Sequence, residues 1–362
     1  MLRTGGITDG YPQEMEAVRA RLDRFWDDLR DHASSFGDAV ELISTLREAS
    51  SGGKMLRPEL VVRVHRSLGG RQDEGAVDIA AAFELLHTAF VIHDDVIDRD
   101  WVRRGKPNVS GHYRAKAAAS GRSRERAGHY GVSAAIIAGD LALNGALRLI
   151  ASSRTTSQHR DRLLQIMDTA IIAGAMGELA DVENDLNTAR EPSAIADMHR
   201  AKTAVYTFEA PLEAGAVLAD ANPELTAGLT LFGRHLGVAY QILDDISGLM
   251  SSEHASGKLS AADVRGAKQT AVTVHARTSP EWGTISHLFG RAGLAEADLN
   301  VIRTTLLRDG SILAAQTEAE THITSASVLL NSFPAPLKAA LAPILSATTK
   351  LNAWETTRFV TA

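Results

Sequence analysis

The spacing of apolar residues is the feature that most limits how this chain can fold. Along almost its whole length, Ala-rich segments repeat apolar residues three and four positions apart, and this spacing places them on one face of an α-helix. Alternating β-branched runs between Asn-Gly or Asp-Gly turns, which would indicate strands, hardly occur. The sequence therefore predicts an all-α protein.

Predicted helices fill most of the chain. They cover residues 12–33, 37–49, 55–67, 74–97, 128–153, 157–184, 195–219, 223–248, 259–277, 281–292, 295–306, 308–330 and 335–349. A small, polar and basic stretch at 115–127 predicts a loop, either a solvated connector or a flexible lid. A polar stretch after position 250 predicts another interruption. Neither has the character of a domain linker, and the motifs lie on both sides of them, so we predict a single domain over 1–362.

Composition and charge exclude several classes of function. With 44% hydrophobic residues the chain can build a sizeable core. Its 38 Lys and Arg are outnumbered by 44 Asp and Glu, giving a net charge of -6 without a long basic run, which argues against nucleic-acid binding. The absence of cysteine excludes disulfides, thiolate zinc sites and cysteine nucleophiles, and it is compatible with a reducing cytoplasm.

Targeting signals are not evident in the sequence. The first residues lack a basic stretch followed by an apolar one, so no signal peptide is predicted. No segment reaches about 18 uninterrupted apolar residues, the length that a membrane span needs. We therefore expect a soluble, cytoplasmic protein without a stable membrane span.

The stretch HDDVID contains a first acidic cluster, formed by Asp94, Asp95 and Asp98. On a helix, Asp94 and Asp98 share a face, and their like charges repel each other. Taken alone, such a pair is more typical of a solvated helix face. The apolar run that precedes it favours a position at the mouth of a buried pocket, where Mg²⁺ would be held by one or two carboxylates together with phosphate oxygens and water.

A second acidic pair, Asp244 and Asp245, also ends an apolar helical run, in AYQILDDISG. If the two clusters face each other, they form a cage of carboxylates too negative to exist empty. This arrangement would favour several Mg²⁺ ions and a polyphosphate ligand that completes their coordination.

Basic residues accompany both clusters. The candidates for binding phosphate are Lys54, Arg57, Arg103, Arg104, Lys202, Lys258 and Lys268, with Thr203 beside Lys202. Arginine presents a planar fork to phosphate, whereas lysine presents a point charge. By themselves, Lys54 and Arg57 are equally compatible with a solvated helix start. Lys202, Lys258 and Lys268 are, individually, more typical of ordinary surface lysines. His87 lies seven residues before Asp94 and on the same helical face, so it is either a core histidine or a ligand.

Taken in order, the motifs resemble those of the all-trans isoprenyl diphosphate synthases, also called polyprenyl synthetases. The matching motifs are GGKMLRP, HTAFVIHDDVID, RRGKPN, AGDLAL, GE at 177–178, KTA, YQILDD, SGK and AKQT. They cover about residues 50–275. The resemblance implies a single-domain bundle of antiparallel helices around a deep central cavity, the isoprenoid synthase fold, usually as a homodimer. The C-terminal helices at 280–350 would complete the bundle.

The resemblance also implies a role for each motif residue. The expected ligands of three Mg²⁺ ions are Asp94, Asp95, Asp98, Asp244 and Asp245. The expected contacts of an allylic diphosphate are Arg103, Lys202 and Lys258. The expected binding residues for isopentenyl diphosphate, the extender unit, are Lys54, Arg57, His87 and Arg104. Thr203 and Gln241 are expected near the reacting carbons, and Lys268 where the site closes. The residues expected to drive catalysis are Asp94, Asp98, Arg103, Lys202, Asp244 and Lys258.

The implied reaction joins isopentenyl diphosphate to dimethylallyl, geranyl or farnesyl diphosphate, head to tail and in trans geometry. Ala89 and Phe90, just before Asp94, are expected to set the depth of the pocket and hence the product length. Small Ala89 leaves depth and Phe90 limits it, so we expect fifteen to twenty carbons, with geranylgeranyl diphosphate favoured.

Gly248 is a departure from the family's pattern, because it stands where the second motif commonly has its last acid. An active enzyme with altered metal or extender affinity is expected, and a non-catalytic subunit of a heteromeric synthase is one alternative. The other is a class I terpene cyclase. Its second metal motif would need Ser or Thr at 248 and Glu at 252, where this chain has Gly248 and Ser252.

Overall fold

The computed structural model describes residues 10–37, 39–71, 74–184, 191–250, 262–291 and 293–359, with only the backbone at 262 and 352–359. Its α-helices are α1 Pro12–Ala33, α2 Ala39–Ser50, α3 Leu56–Ser67, α4 Glu74–Ile97, α5 Val109–Ala119, α6 Arg124–Ala151, α7 Ser157–Val182, α8 Pro192–His199, α9 Ala210–Leu218, α10 Pro223–Met250, α11 Ala262–Arg265, α12 Ala271–Ala276, α13 Trp282–Ile285, α14 Glu296–Arg308, α15 Ser311–Ser332 and α16 Ala335–Phe359. A π-helix, Arg200–Glu209, joins α8 to α9, and a 3₁₀ turn, Ser286–Leu288, follows α13. Strands β1, Val102–Arg103, and β2, Lys106–Pro107, form an antiparallel hairpin. The all-α prediction is confirmed.

The prediction of a loop at 115–127 is wrong. Helix α5 continues to Ala119 and α6 begins at Arg124. Each helix begins at a capping side chain: Asn108 accepts a hydrogen bond from the backbone N–H of Gly111 (2.8 Å), and Ser123 accepts one from Arg126 (3.3 Å). The caps outweigh the polar composition that suggested a loop.

Some predicted helices are interrupted. The segment 195–219 is helical but passes through the π-helix, and 259–277 contains the short α11 and α12 with a turn between them. The predicted helix 281–292 is only a short turn of α-helix followed by the 3₁₀ turn. In the second of these segments, a polar side chain bonds to nearby backbone groups and begins a new helix instead of continuing the preceding one. At Thr270, for example, the side chain caps the start of α12.

The chain forms two compact units. The N-terminal unit consists of Thr8–Thr169 and Ala210–Thr226, and the C-terminal unit mainly of Ala170–Glu209 and Ala227–Ala362. Each is discontinuous in sequence, so the two do not correspond to consecutive halves of the chain. A single domain over 1–362 stays a prediction.

Helix α4 is the centre of the N-terminal unit and is buried along most of its length. Small residues of α6 allow it to lie close to its neighbours. A Cβ at Gly139 would come within 2.2 Å of the His93 ring, and one at Gly145 within 2.5 Å of the Phe25 ring. This close packing fixes α4 and the acidic cluster at its end.

The core of the C-terminal unit forms around α10. The buried side chains Ile242, Leu243 and Ile246 of α10 belong to one apolar cluster with Leu299 and Ile302 of α14. Burying a side chain of this size contributes about 1.5–3 kcal/mol. The apolar face of α10 therefore fixes the orientation of the opposite face, which carries Asp244.

Within the part of the chain that the structure describes, three helices, α4, α6 and α7, are long and apolar enough on average to cross a membrane. The sequence prediction did not identify them, because polar residues interrupt each apolar run. In α4, 78% of the most apolar stretch is buried inside the protein, whereas in α7 only 33% is buried.

Candidate active site

The first acidic cluster lies at the C-terminal end of α4. The backbone N–H of Asp98 donates to the carbonyl of Asp94 (2.8 Å), so the helical spacing that places the two residues on one face continues to Asp98. Asp98 is exposed, and the Asp94 side chain is 30% exposed. Asp95 differs, because its side chain is only 5% exposed.

Arg103 holds the acidic cluster from the hairpin. Its Nε donates to Oδ1 of Asp95 (2.8 Å), and its Nη2 donates to Oδ2 of Asp94 (3.2 Å). Burial by itself would lower the pKa of the Arg103 guanidinium, but the bond to Asp95 and the charges of both acids raise it above its usual value. Asp95, predicted as a metal ligand, is thus engaged in a mostly buried ion pair.

The hairpin is a structural feature that the sequence analysis missed. Its two turn residues, Arg104 and Gly105, have φ of 55° and 76°, and positive φ at both positions is typical of a tight type I′ turn. Nη1 of Arg104 donates to the carbonyl of Ser51 (3.1 Å), in the loop before α3. The strained arginine is therefore held against the loop that carries Lys54.

The predicted extender residues of the N-terminal unit come together around α4. Arg57 is buried, and Lys54 and His87 are half-buried. Burial lowers the pKa of the His87 imidazole well below its usual value, and the charges of Arg57, Arg103 and Arg104 lower it further. His87 is thus neutral near pH 7, with its ring close to a group of guanidinium ions.

The predicted chain-length residues lie one to two turns before Asp94 on α4. Ala89 is fully buried and Phe90 is half-buried. A larger side chain at Ala89 would have to displace packed neighbours, whereas Phe90 is partly accessible. Phe90 is therefore the more suitable of the two for a test by substitution.

Two predicted lysines of the C-terminal unit converge on one carboxylate that the sequence analysis missed. Nζ of Lys202 lies 2.6 Å from Oδ2 of Asp181 and 3.0 Å from Oε2 of Glu178. Nζ of Lys268 lies 2.8 Å from the same Asp181 oxygen. Burial would raise the pKa of Asp181, but the two lysines hold it below its ordinary value. The GE motif at 177–178 was the available signal, since Asp181 lies one turn beyond it.

Gly177 explains how Lys202 reaches this carboxylate. A Cβ at Gly177 would lie 2.2 Å from the backbone nitrogen of Lys202, so only glycine allows α7 and the π-helix to approach this closely. π-Helical segments are rare and frequently occur at functional sites. The π-helix at Arg200–Glu209 therefore supports a functional role for Lys202 and Thr203.

A chain of hydrogen bonds supports the second acidic pair. Thr203 Oγ1 donates to Oε1 of Gln241 (2.7 Å), and Nε2 of Gln241 donates to Oδ1 of Asp245 (2.7 Å). Nε2 of buried His199 lies 3.2 Å from the other Asp245 oxygen. Burial lowers the pKa of His199, but the charge of Asp245, the hydrogen bond to it and the charges of Asp181 and Glu318 together raise the pKa above its usual value. The Asp245 side chain is only 8% exposed, whereas Asp244 is exposed.

Asp263, on α11, is a second carboxylate missed by the sequence analysis. Burial and the charge of Asp245 raise its pKa to about 7, while Lys268 lowers it. No motif marks this position, because its burial results from packing. Lys258 lies outside the described residues.

Gly248 is exposed on α10, and a Cβ there would meet no atom within 4 Å. Among the described residues, no group of three or more His, Asp or Glu side chains could hold a metal ion by itself. This finding is compatible with Mg²⁺, which is usually held by one or two carboxylates and completes its coordination with phosphate and water. The hard carboxylate oxygens of Asp94 and Asp98, on one exposed helical face, fit such an ion.

Comparisons with known proteins give the family. The family described as polyprenyl synthetase matches residues 41–304. The geranylfarnesyl diphosphate synthase of Aeropyrum pernix is 30% identical over 298 residues, 81% of this chain and 87% of that protein. The geranylgeranyl diphosphate synthase of Sulfolobus acidocaldarius is 34% identical over 227 residues, 62% of this chain and 63% of that protein.

A solved structure shares the fold. Geranylgeranyl pyrophosphate synthase from Corynebacterium glutamicum, in complex with isoprenyl diphosphate and magnesium, has a TM-score of 0.85 and 26% identity, over 93% of this chain and 98% of that one. The predicted isoprenoid synthase fold is thereby confirmed.

The helical fold and the two acidic clusters define an isoprenoid synthase. Because the match covers well over half of its residues, the chain belongs to the polyprenyl synthetase family. It is a prenyltransferase, an enzyme that transfers alkyl groups derived from isoprenoid diphosphates.

Proposed function

We propose that this protein makes geranylgeranyl diphosphate by adding isopentenyl diphosphate to an allylic diphosphate, head to tail and in trans geometry. The observation that carries the proposal is the pairing of cations with acids in each unit. Arg103 binds Asp95 beside Asp94, and Lys202 binds Asp181 in the unit that carries Asp244. Cations held next to exposed carboxylates suit a substrate that carries both phosphate and bound metal.

We assign Asp94, Asp98 and Asp244 as the residues that would hold Mg²⁺. Asp95 and Asp245 are more buried and bonded to protein partners, so we assign them to positioning. When bound, Mg²⁺ supplies positive charge that stabilises the departing diphosphate. The relatives support divalent metal use: the C. glutamicum enzyme was crystallised with magnesium, and a polyprenyl synthase from Caulobacter crescentus with calcium. Three ions per site stays a prediction.

The protein's own cations act on the allylic diphosphate. Arg103 and Lys202, with Lys258 in the sequence motif, would bind its oxygens and stabilise their charge as the allylic C–O bond breaks. The diphosphate leaves with the bonding electrons, and the double bond of isopentenyl diphosphate forms the new C–C bond to the cation. The proton then lost from the extender goes to the released diphosphate. Thr203 and Gln241, which bond to each other, would line the site near the reacting carbons.

The extender is assigned to the N-terminal unit. Arg57 and Arg104 would bind its diphosphate together with Lys54, and the neutral His87 would donate or accept one hydrogen bond. Lys268 shares Asp181 with Lys202, which supports its assignment near the allylic diphosphate.

The direct test is to incubate the purified protein with labelled isopentenyl diphosphate, each allylic primer and Mg²⁺, and to size the dephosphorylated alcohols. We expect mainly the twenty-carbon alcohol, and no product when the metal is chelated. Absence of any elongated product with every primer would contradict the proposal.

Phe90→Ala should lengthen the product by one or more five-carbon units, because it removes a half-buried ring one turn before Asp94. Sizing the alcohols from the same assay measures this change. The matched control is Phe36→Ala, because Phe36 is an exposed phenylalanine that does not lie on α4. This change should leave the product length unaltered. An unaltered product from Phe90→Ala would remove Phe90 as the determinant of length.

Gly248 is the observation that favours the alternative of a non-catalytic subunit. The intact first cluster and the paired lysines argue against it. Such a subunit would form product only when mixed with a second synthase, so activity of the purified chain by itself separates the two. A terpene cyclase would not consume isopentenyl diphosphate.

We also propose a homodimer, formed through α7. Ile172, Met176, Leu179 and Val182 lie along one face of this helix, and each is more than half exposed. A contiguous apolar stripe of this kind is costly in water and typical of an interface. Sedimentation should give a dimer, and Leu179→Glu should shift it toward monomer.

A cytoplasmic location stays a prediction.

A further inference from the structure

Glu84 is a buried carboxyl group that the proposed reaction does not use. It lies on α4, one turn before His87, and the residue is 2% exposed. Its Oε2 accepts no hydrogen bond from any residue that the structure describes. Buried carboxylates are normally paired or hydrogen-bonded, because removing their charge from water is costly. Glu84 therefore needs an explanation.

Three separate chain segments meet at this carboxyl. The loop before α3 passes over it, since a Cβ at Gly53 would lie 3.1 Å from Oε1 of Glu84. Arg57 of α3 and Arg104 of the hairpin are both close enough for their charges to act on it. Each of these segments carries a residue assigned to the extender's diphosphate. Glu84 thus lies where the extender site is assembled.

The charge balance around Glu84 depends on what occupies this site. Burial raises the pKa of the Glu84 carboxyl, and the positive charges of Arg57 and Arg104 lower it again, with burial the larger effect. When ionised in the empty site, the carboxylate would offset part of the positive charge of these two guanidinium ions. A bound diphosphate would neutralise the same two ions and would itself repel the carboxylate across a medium of low dielectric constant.

We propose that Glu84 is the counter-charge of the extender site: it is ionised when the site is empty and takes up one proton from solvent when a diphosphate binds to Arg57 and Arg104. The inference rests on the assignment of the extender site under the proposed function. In physical terms, substrate and carboxylate alternate as the negative partner of the same two arginines.

This exchange makes extender binding depend on pH in a defined direction. As the pH rises, more of the empty enzyme carries an ionised Glu84, and binding must then include protonation. The Michaelis constant for isopentenyl diphosphate should therefore increase, by at most about tenfold per pH unit for one proton. In Glu84→Gln the side chain is neutral and has nearly the same shape, so binding needs no proton uptake at this position. Its Michaelis constant should be below that of the wild type at high pH and should approach it at low pH.

The experiment measures the Michaelis constant for isopentenyl diphosphate from about pH 6 to about pH 9, at saturating primer and Mg²⁺. Other charged or titrating groups at the site are the same in both proteins: the diphosphate, His87, Lys54, Arg57 and Arg104. The ratio of the wild-type Michaelis constant to that of Glu84→Gln at each pH therefore isolates the contribution of Glu84. Calorimetry of isopentenyl diphosphate binding in two buffers of different ionisation enthalpy gives the protons taken up. We expect a larger uptake by the wild type.

Two further variants separate this role from a structural one. Glu84→Asp keeps a carboxyl and should keep the wild-type pH dependence. Glu59→Gln is the matched control, because Glu59 is also buried, on α3, but pairs with Arg63 (2.6 Å). It should lower stability without changing the pH profile.

The outcomes are distinct. A Glu84→Gln enzyme with the wild-type pH profile and proton uptake would overturn the inference. A Michaelis constant raised by one constant factor at every pH would also overturn it, since that result indicates only misplaced arginines. If instead the wild type elongates no primer, the proposed function itself fails.

Discussion

The two acidic clusters begin alike and are supported differently. In both, the first aspartate is at least partly exposed and the second is turned toward the protein. In the N-terminal unit, the buried Asp95 is held by the charged guanidinium of Arg103. In the C-terminal unit, the buried Asp245 is held by a neutral amide and by a histidine. The same sequence pattern, a pair of aspartates after an apolar run, is therefore stabilised in two ways.

The difference concerns how firmly each cluster is held. A mostly buried ion pair is costly to break, because removal of one partner leaves a charge without compensation. The amide of Gln241 carries no charge, so removing it from Asp245 leaves no opposite charge without compensation and costs less. The first cluster also carries the exposed Asp98, four residues after Asp94 on the same helical face. In the second cluster, the position four residues after Asp244 is Gly248. We therefore expect the first cluster to be the more rigid and the more complete metal site.

The largest expected effect is the loss of an exposed aspartate. Asp94→Asn and Asp244→Asn should each lower kcat about 10²–10³-fold, the usual cost of removing one group that stabilises transition-state charge. Raising the Mg²⁺ concentration should restore part of the activity of Asp94→Asn, because Asp98 shares its face, and none of the activity of Asp244→Asn. Steady-state kinetics over a range of Mg²⁺ concentrations measures both. Equal recovery in the two variants would remove the distinction between the clusters.

The supports themselves should differ in stability. Arg103→Gln leaves the buried Asp95 charge uncompensated and should lower the free energy of unfolding by about 3 kcal/mol. Gln241→Leu leaves Thr203 and Asp245 without this partner and should cost about 1–2 kcal/mol. Urea unfolding measures both values. Arg47→Gln, at an exposed ion pair with Asp23, is the control and should cost less than about 1 kcal/mol. A larger loss for Gln241→Leu than for Arg103→Gln would reverse the comparison.

Acid should weaken the helix that carries the second cluster. Nδ1 of His235 on α10 lies 3.0 Å from Nδ1 of His322 on α15, a distance at which one neutral ring donates to the other. Burial lowers the pKa of both histidines. The charges of His322 and Arg234 lower the pKa of His235 further. At His322, the charge of Glu318 opposes the effect of burial but does not cancel it. Because both folded-state pKa values are depressed, the stabilisation is present above the unfolded value of about 6.5 and is lost as the pH falls below it.

The measurement is urea unfolding at about pH 7.5 and about pH 5.5. Asp263, with a pKa of about 7, contributes in the opposite direction in both proteins. The change in the free energy of unfolding from the higher to the lower pH should therefore be less favourable in the wild type than in a double variant with phenylalanine at both histidines. His32→Gln, at an exposed position of α1, should behave as the wild type. The same acid dependence in the double variant would show that other groups control it.

The smallest expected effect comes from completing the second cluster. Gly248→Asp should fit, since a Cβ there meets no atom within 4 Å, and aspartate is slightly better than glycine within a helix. We expect the Mg²⁺ requirement to fall a few-fold. Gly283→Asp, at an exposed helical glycine with equally open surroundings, should leave it unchanged. An unaltered Mg²⁺ requirement in Gly248→Asp would indicate that the last acid of this motif does not act on the metal.

Local sequence signals predicted much of the helical frame. Helices α1 and α4 have the predicted limits, 12–33 and 74–97, because their apolar periodicity is strong and uninterrupted by caps. The helix starts at 109 and 124 were missed, because the caps Asn108 and Ser123 lie within a polar stretch that has the composition of a loop.

The sequence by itself determined the family, the helical class and the identity of the exposed acids and accompanying cations, since these depend on spacing along one helix or on motif order. Only the tertiary structure decided which aspartate of each pair is buried, that Lys202 and Lys268 share Asp181, and that Glu84 lies beside Arg57 and Arg104. The physical reason is that burial and pairing arise between elements distant in sequence. Desolvation and neighbouring charge, which set the pKa of a carboxyl group, have no signature in local spacing.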